Sequence, residues 1–316
     1  MKPLEIARLL GQIEQLPVEE ISRVKLAVAK REGDVESVLM LQERAEAVNH
    51  CPRCGCVEIV KNGFKNGKQR FWCKGGCGTT FNALTGTPLA RLRMPEKHIE
   101  NARCMLEHLS IPKVAARLGV CWETAFRWRH RFMTLLAENP SGLSGIVEVD
   151  ETFVRESFKG KRSNMPRPSK RRGKKASKRG LSRQQIPVLV AMDRNTKATV
   201  SEVVNSRSAT DIEPTLVPRL ARDAVLMTDG ASAYKTIGGR HGIEVRRVPA
   251  DKNHKTKGSV HINNVNASHE RLKSWLAPFR GVATKNLSVY LRWFRWMETH
   301  KDEPQAREFL RNAVGG

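Results

Sequence analysis

The stretch GIVEVDETFV, residues 145–154, sets one carboxylate, Asp150, among Ile146, Val147 and Val149 in a segment that reads as a β-strand. A carboxylate in an apolar strand is costly unless it is paired or binds a cation. Downstream, IPVLVAMDR (186–194) and ATVSEVV (198–204) read as two further strands. After a helical stretch comes AVLMTDG (224–230), a fourth short strand that places Asp229 immediately before Gly230. Alone, either aspartate reads as a cap or turn residue. Together, at the ends of neighbouring strands, they describe a divalent-metal site in a mixed α/β domain. Between the first two strands, Lys159 to Arg183 holds twelve Lys or Arg and no acid. Such a run cannot bury apolar surface. It is expected to be a disordered loop unless DNA orders it, with Lys170, Arg171, Arg172, Lys174 and Lys175 as DNA-binding cations.

The same partner follows from the whole chain. In 316 residues, 56 Lys and Arg face 32 Asp and Glu, a formal charge of +24. The folded state must carry that self-repulsion unless a polyanion neutralises it, and nucleic acid is the expected polyanion. No apolar run approaches the roughly 18 residues of a membrane span. The opening MKPLEIARLLGQIEQ is broken by Glu5 and Gln12 where a signal peptide needs an apolar core. A cytoplasmic, nucleoid-associated protein without a membrane partner is expected.

Five of the seven cysteines lie in CPRCGCVEIVKNGFKNGKQRFWCKGGCGTTF (51–81), four of them in two close pairs. Cys51 and Cys54 form one knuckle and Cys73 and Cys77 a second, wider one across an expected hairpin, an arrangement that suits tetrahedral Zn2+. Four protein ligands leave no open position, so this zinc is structural. Lys61, Lys65, Lys68 and Arg70 beside Phe64, Phe71 and Trp72 are expected to form a basic, aromatic face for DNA. Further on, LSIPKVAARLGVCWETAFRWRHRFM (109–133) reads as a helix from about Ile111 to Leu118, a turn at Gly119 and a second helix from about Trp122 to Met133. Ser110 is the expected N-cap and Pro112 fits the first turn. Ala125, Trp128 and Phe132 are expected to face the core of this helix-turn-helix, leaving Arg127, Arg129, His130 and Arg131 for a DNA groove.

The last element is HINNVNASHERLKSWLAPFR (261–280), where Asn266 and Lys273 fall two turns apart on one helical face. In its order of zinc ribbon, helix-turn-helix, VDET strand, TDG turn and V-N-x-x-x-x-x-x-K helix, the chain resembles the bacterial insertion-sequence transposases of the RNase-H-like DDE superfamily. It is most similar to the subgroup with a D-D-N-K signature. The resemblance implies that Asp150 and Asp229 bind catalytic Mg2+ or Mn2+, that Asn266 takes the third position, and that Lys273 contacts DNA near the reacting phosphate. The 36 residues between Asp229 and Asn266 are a spacing typical of that superfamily. Asn departs from the usual Glu, but hard cations accept amide oxygens. Glu270, one turn beyond Asn266, is the alternative third carboxylate, and His254, His261 and His269 are candidate phosphate or leaving-group contacts.

The resemblance implies an enzyme that binds transposon terminal inverted repeats, cleaves there and joins the 3′-hydroxyl ends to target DNA, as a homo-oligomer on DNA. A non-catalytic DNA-binding regulator and a nuclease without strand transfer are the rival readings. The expected architecture is multidomain: a helical N-terminal region (1–48), a zinc ribbon (49–90), a helix-turn-helix domain (91–140), an α/β RNase-H-like catalytic domain (141–300) with the basic insertion 159–183, and a C-terminal tail (301–316).

Overall fold

A computed structural model describes residues 3–134, 136, 138–161, 163–165, 182, 184–248, 260–301 and 305–313. The basic run centred on Lys170–Lys175, and His254, lie outside the described residues. The chain divides into two units, Met1–Leu135 with Pro304–Gly316, and Leu136–Glu303.

In the first unit, α1 (Pro3–Glu14) and α2 (Val18–Glu46) form the helical start. Pro17 stands at the N-cap of α2 because proline cannot continue a preceding helix. Gly33, which reads as punctuation, lies inside α2. Three antiparallel strands follow, β1 (Ile59–Lys65), β2 (Lys68–Cys73) and β3 (Thr80–Asn82), with β2 central. Their small core is Cys51, Phe71, Cys73 and Phe81, the two rings stacked 5.6 Å apart. Phe71 is therefore buried and not on an outer face, whereas Phe64 and Trp72 are exposed.

Next come α3 (His98–Leu106), α4 (Ile111–Leu118) and α5 (Trp122–Met133), the last two with the bounds their periodicity implies. Gly119 ends α4 with φ +62°, a left-handed conformation that favours glycine. Ser110 sits at the N-cap, but its side chain makes no capping bond. Val114, Leu118, Ala125 and Trp128 form the core here. The chain returns to this unit at its end, where α10 (Ala306–Ala313) packs on α3 and α5.

The second unit is built on five strands: β4 (Ile146–Arg155), β5 (Gln185–Asp193), β6 (Thr199–Val203), β7 (Val225–Thr228) and β8 (Glu244–Arg247). Their order is β6-β5-β4-β7-β8; β4, β5 and β6 are antiparallel neighbours, while β7 and β8 run parallel to β4. The parallel pairs need crossovers, supplied by α6 (Ala209–Leu216) before β7 and α7 (Ser232–His241) before β8. These helices cover one sheet face, where Val147, Val149, Leu189 and Ala191 meet Ile212, Leu216, Tyr234 and Ile237. The side-chain alternation of a strand sends Glu148 and Asp150 to the other face. There α8 (Asn263–Leu276) packs on β4 and β5, and α9 (Leu287–Thr299) packs on β6.

Candidate active site and metal centres

The four ribbon thiols converge. The sulfurs of Cys51, Cys54, Cys73 and Cys77 lie within 4.8 Å of one another, with Cys51–Cys77 and Cys54–Cys73 each 3.6 Å apart. A tetrahedral zinc with bonds of about 2.3 Å needs sulfurs roughly 3.8 Å apart, so the thiols fit that ion. The backbone N–H groups of Cys56 and Cys77 draw the Cys54 thiol down, and the hydroxyl and N–H of Thr79 draw Cys77 down to about 6. Burial pushes Cys73 up to about 12, which leaves it the thiol most in need of a cation to ionise. A Cβ on Gly76 would stand 2.8 Å from Cys54 Sγ, so the wider second knuckle depends on glycine for close approach.

The two aspartates meet across β4 and β7. Glu148 pairs with Met227 in the parallel register, and two residues further along each strand stand Asp150 and Asp229. Burial pushes the Asp150 carboxyl up to about 6, the charge of Asp229 acting in the same direction against the lowering effects of the Glu151 N–H and Arg207. Two mutually repelling carboxylates, one largely buried, fit a divalent cation as their neutraliser. Gly230 turns the chain after Asp229 with φ +93°, and a Cβ there would strike the Arg247 side chain.

The contacts of Glu148, Glu151 and Arg207, which flank this pair, are invisible to local sequence reading. Glu148, fully buried, accepts from the N–H groups of Asn264 (2.8 Å) and Val265 (3.1 Å), from Asn264 Nδ2 (2.7 Å) and from Arg194 Nε (2.9 Å). It thereby holds the first turn of α8, whose free N–H groups favour an anion. On the opposite face Glu151 accepts from Tyr234 Oη and from Arg207 Nε (2.7 Å), and Arg207 reaches on to Asp229 Oδ2 at 3.8 Å. Arg207 thus ties Glu151 to the outer aspartate.

Along α8, Val265, His269 and Leu272 are buried while Asn266, Glu270 and Lys273 are exposed. Asn266 makes no side-chain hydrogen bond among the described residues; its N–H donates to Ile262. Lys273 donates to Glu270 at 2.8 Å, so the alternative carboxylate is already paired. The α8 side chain that approaches Asp150 is His269, with Nδ1 3.9 Å from Oδ2. Burial, then the charge of Lys273, pushes this imidazole down to about 4. His261 lies instead 3.4 Å from Glu148.

On α5, Arg127 and Arg131 are exposed. Arg131 donates to the carbonyls of Pro88 and Ala90. Arg129 is buried and donates to the Leu109 carbonyl, which corrects its expected place in a DNA groove. His130 is half-buried against Phe126, 4.3 Å between ring centres. Arg131 also lines a cleft of the first unit with Arg53, Lys65, Lys68, Arg70, Arg91 and Arg93, and among the described residues no acid lines it.

A cluster of four thiols that fits zinc lies in the first unit, and a pair of neighbouring carboxylates lies in the second. Residues 142–299, half of the chain, match the family model of the ISXO2-like transposase domain, and the chain belongs to that family of insertion-sequence transposases. It is 29% identical over 262 residues to an uncharacterized protein in transposable element ISH50 of Halobacterium salinarum, covering 81% of this chain and 87% of that protein. A crystal structure of a pre-cleavage Mos1 transpososome is similar at 13% identity over 69% of this chain and 79% of that one, with a TM-score of 0.24, too low to carry an argument. Among the described residues no helix is long and apolar enough to cross a membrane.

Proposed function

We propose that this protein binds the ends of a transposable element, cleaves the DNA there and joins the freed 3′-hydroxyls to target DNA. The observation that carries the proposal is the Asp150–Asp229 pair on adjacent parallel strands, Asp150 within β4 and Asp229 just past the end of β7, on the sheet whose packed helix α8 is anchored by Glu148. The sheet order and directions suit an RNase-H-like catalytic domain. Asp150 and Asp229 hold Mg2+ or Mn2+, with Asn266 contributing an amide oxygen. Two such ions supply activation of the attacking oxygen and stabilisation of the departing one. Arg207 restrains Asp229 through its contact with Glu151, and Lys273 releases Glu270 to contact DNA near the scissile phosphate. The same site serves water in cleavage, a hydrolysis that frees the 3′-hydroxyl, and then that hydroxyl in joining. There it attacks a target phosphodiester and displaces a target 3′-hydroxyl, so the bond formed replaces the bond broken and no external energy source is needed.

DNA is held by the first unit. The cation-lined cleft beside the ribbon grips backbone phosphates, Arg127 faces a groove, and the basic run 159–183 adds contacts that read no bases. Zinc on the four cysteines keeps the ribbon folded. Two ends must be brought together, so a homo-oligomer assembles on DNA.

The test is cleavage and joining of end-containing DNA by Asp150→Asn and Asp229→Asn. Neither product should form, while end binding and zinc content stay unchanged. Normal cleavage by either variant overturns the proposal.

A further inference from the structure

His269 lies on the buried stripe of α8 between Val265 and Leu272, 6% exposed, under the part of β4 that carries Asp150. Its Nε2 is buried without a hydrogen-bond partner among the described residues. Burying an imidazole with a polar atom unpaired costs about 1–3 kcal/mol, and an apolar side chain at this position would fill the stripe without that cost. Nδ1 faces Asp150 Oδ2 at 3.9 Å. That separation is beyond hydrogen-bond reach. Two ligand atoms of one octahedral cation with bonds of about 2.1 Å stand roughly 3.0 Å apart when adjacent and roughly 4.2 Å when opposite, so a shift of a few tenths of an ångström lets the two atoms share one ion.

The imidazole is also held in place. Glu148 stands two residues before Asp150 on the same strand face and grips the backbone of Asn264 and Val265. One strand therefore carries both the aspartate and the anchor that sets where α8 lies over it. Asn266, Glu270 and Lys273 have the freedom of an exposed face; His269 does not.

We propose that His269 Nδ1 is a ligand of the divalent ion held by Asp150, a nitrogen donor in an otherwise all-oxygen site. The inference rests on the reading of Asp150 and Asp229 as the ion-binding pair. An imidazole nitrogen is a softer donor than a carboxylate oxygen and suits transition-metal ions more than Mg2+, so it raises the affinity of the site for Mn2+ relative to Mg2+.

The experiment is Mn2+ titration of the full-length, zinc-loaded protein, read by electron paramagnetic resonance with spin-echo detection of nitrogen coupling. Wild-type protein should show 14N coupling at the bound Mn2+. His269→Ala should lose it and bind Mn2+ at least about tenfold more weakly. His269→Glu, which keeps a ligand should the alanine variant fold poorly, should lose the coupling and shift the preference toward Mg2+. No coupling in wild type, or coupling that persists in His269→Ala, overturns the assignment. Asp150→Asn and Asp229→Asn separate the two levels. If they lose Mn2+ while His269→Ala keeps it with an unchanged spectrum, the histidine inference alone falls. If they bind Mn2+ as wild type does, the ion-binding pair falls and the histidine assignment with it.

Discussion

The ribbon and the carboxylate site solve opposite problems with the same chemistry of converging anions. In the ribbon four sulfurs stand within 4.8 Å of one another, enough to saturate a tetrahedral ion without any ligand from outside the protein. On the sheet, Asp150 within β4 and Asp229 just after β7 lie on adjacent parallel strands, and no set of protein ligands closes around them among the described residues. A closed site serves folding. An open one leaves room for a phosphate and a nucleophile.

The largest expected effect falls on the ribbon. Zinc binding to small thiolate modules is worth on the order of 10 kcal/mol, which is then folding energy. Chelation, or Cys73→Ser, should unfold β1–β3 while the five-stranded sheet persists, seen as selective loss of protection in hydrogen exchange. Freshly purified protein should carry one zinc per chain, and zinc near zero would break the contrast. Gly76→Ala, which drives a methyl toward Cys54 Sγ, should weaken zinc retention in chelator competition.

The open site depends instead on a buried anchor. Glu148→Ala strips α8 of its cap and leaves Arg194 without its buried carboxylate, a loss of about 3–5 kcal/mol from the second unit in denaturant unfolding. An unchanged midpoint would show that α8 is held by packing alone.

Nothing in the local sequence marks Glu148 as an anchor, because its partners Asn264 and Val265 lie more than a hundred residues away. The same holds for Arg207, which meets Glu151 across 56 residues. By contrast, the cysteine knuckles, the α4–Gly119–α5 turn and the Asp150 strand depend on neighbours a few residues apart, and their positions were legible. Two signals were local and easily overlooked. Arg129 lies four residues after Ala125 and three before Phe132, and His269 lies four after Val265 and three before Leu272. A polar residue on an apolar stripe belongs inside, and both are there.

A third effect separates the units by pH. His98 at the start of α3 is buried edge-on to Trp128 and Phe132, and burial, then the charge of Lys68, pushes its imidazole down to about 3. The folded state thus excludes a proton that the unfolded chain binds below about pH 6.5. The full stability is present above that pH and falls by up to about 1.4 kcal/mol per unit as pH drops toward 3. His98→Phe should flatten this acid slope for the first unit. An identical slope in the variant would assign it to zinc release.

The smallest effect distinguishes two neighbouring arginines. Arg129→Ala should cost about 1–3 kcal/mol by leaving the Leu109 carbonyl unpaired. Arg127→Ala should leave stability unchanged and weaken DNA binding, lowering the salt slope by about one unit. Equal stability losses in the two variants would show that Arg127 is also structural.

The most direct measurement is joining of a labelled element end to a target plasmid by zinc-loaded protein, with and without added Mg2+ or Mn2+. Joined product should appear only when the divalent ion is present, while zinc content and end binding stay the same in both conditions. Joining that proceeds without the added ion would contradict the assignment of the chemistry to Asp150 and Asp229.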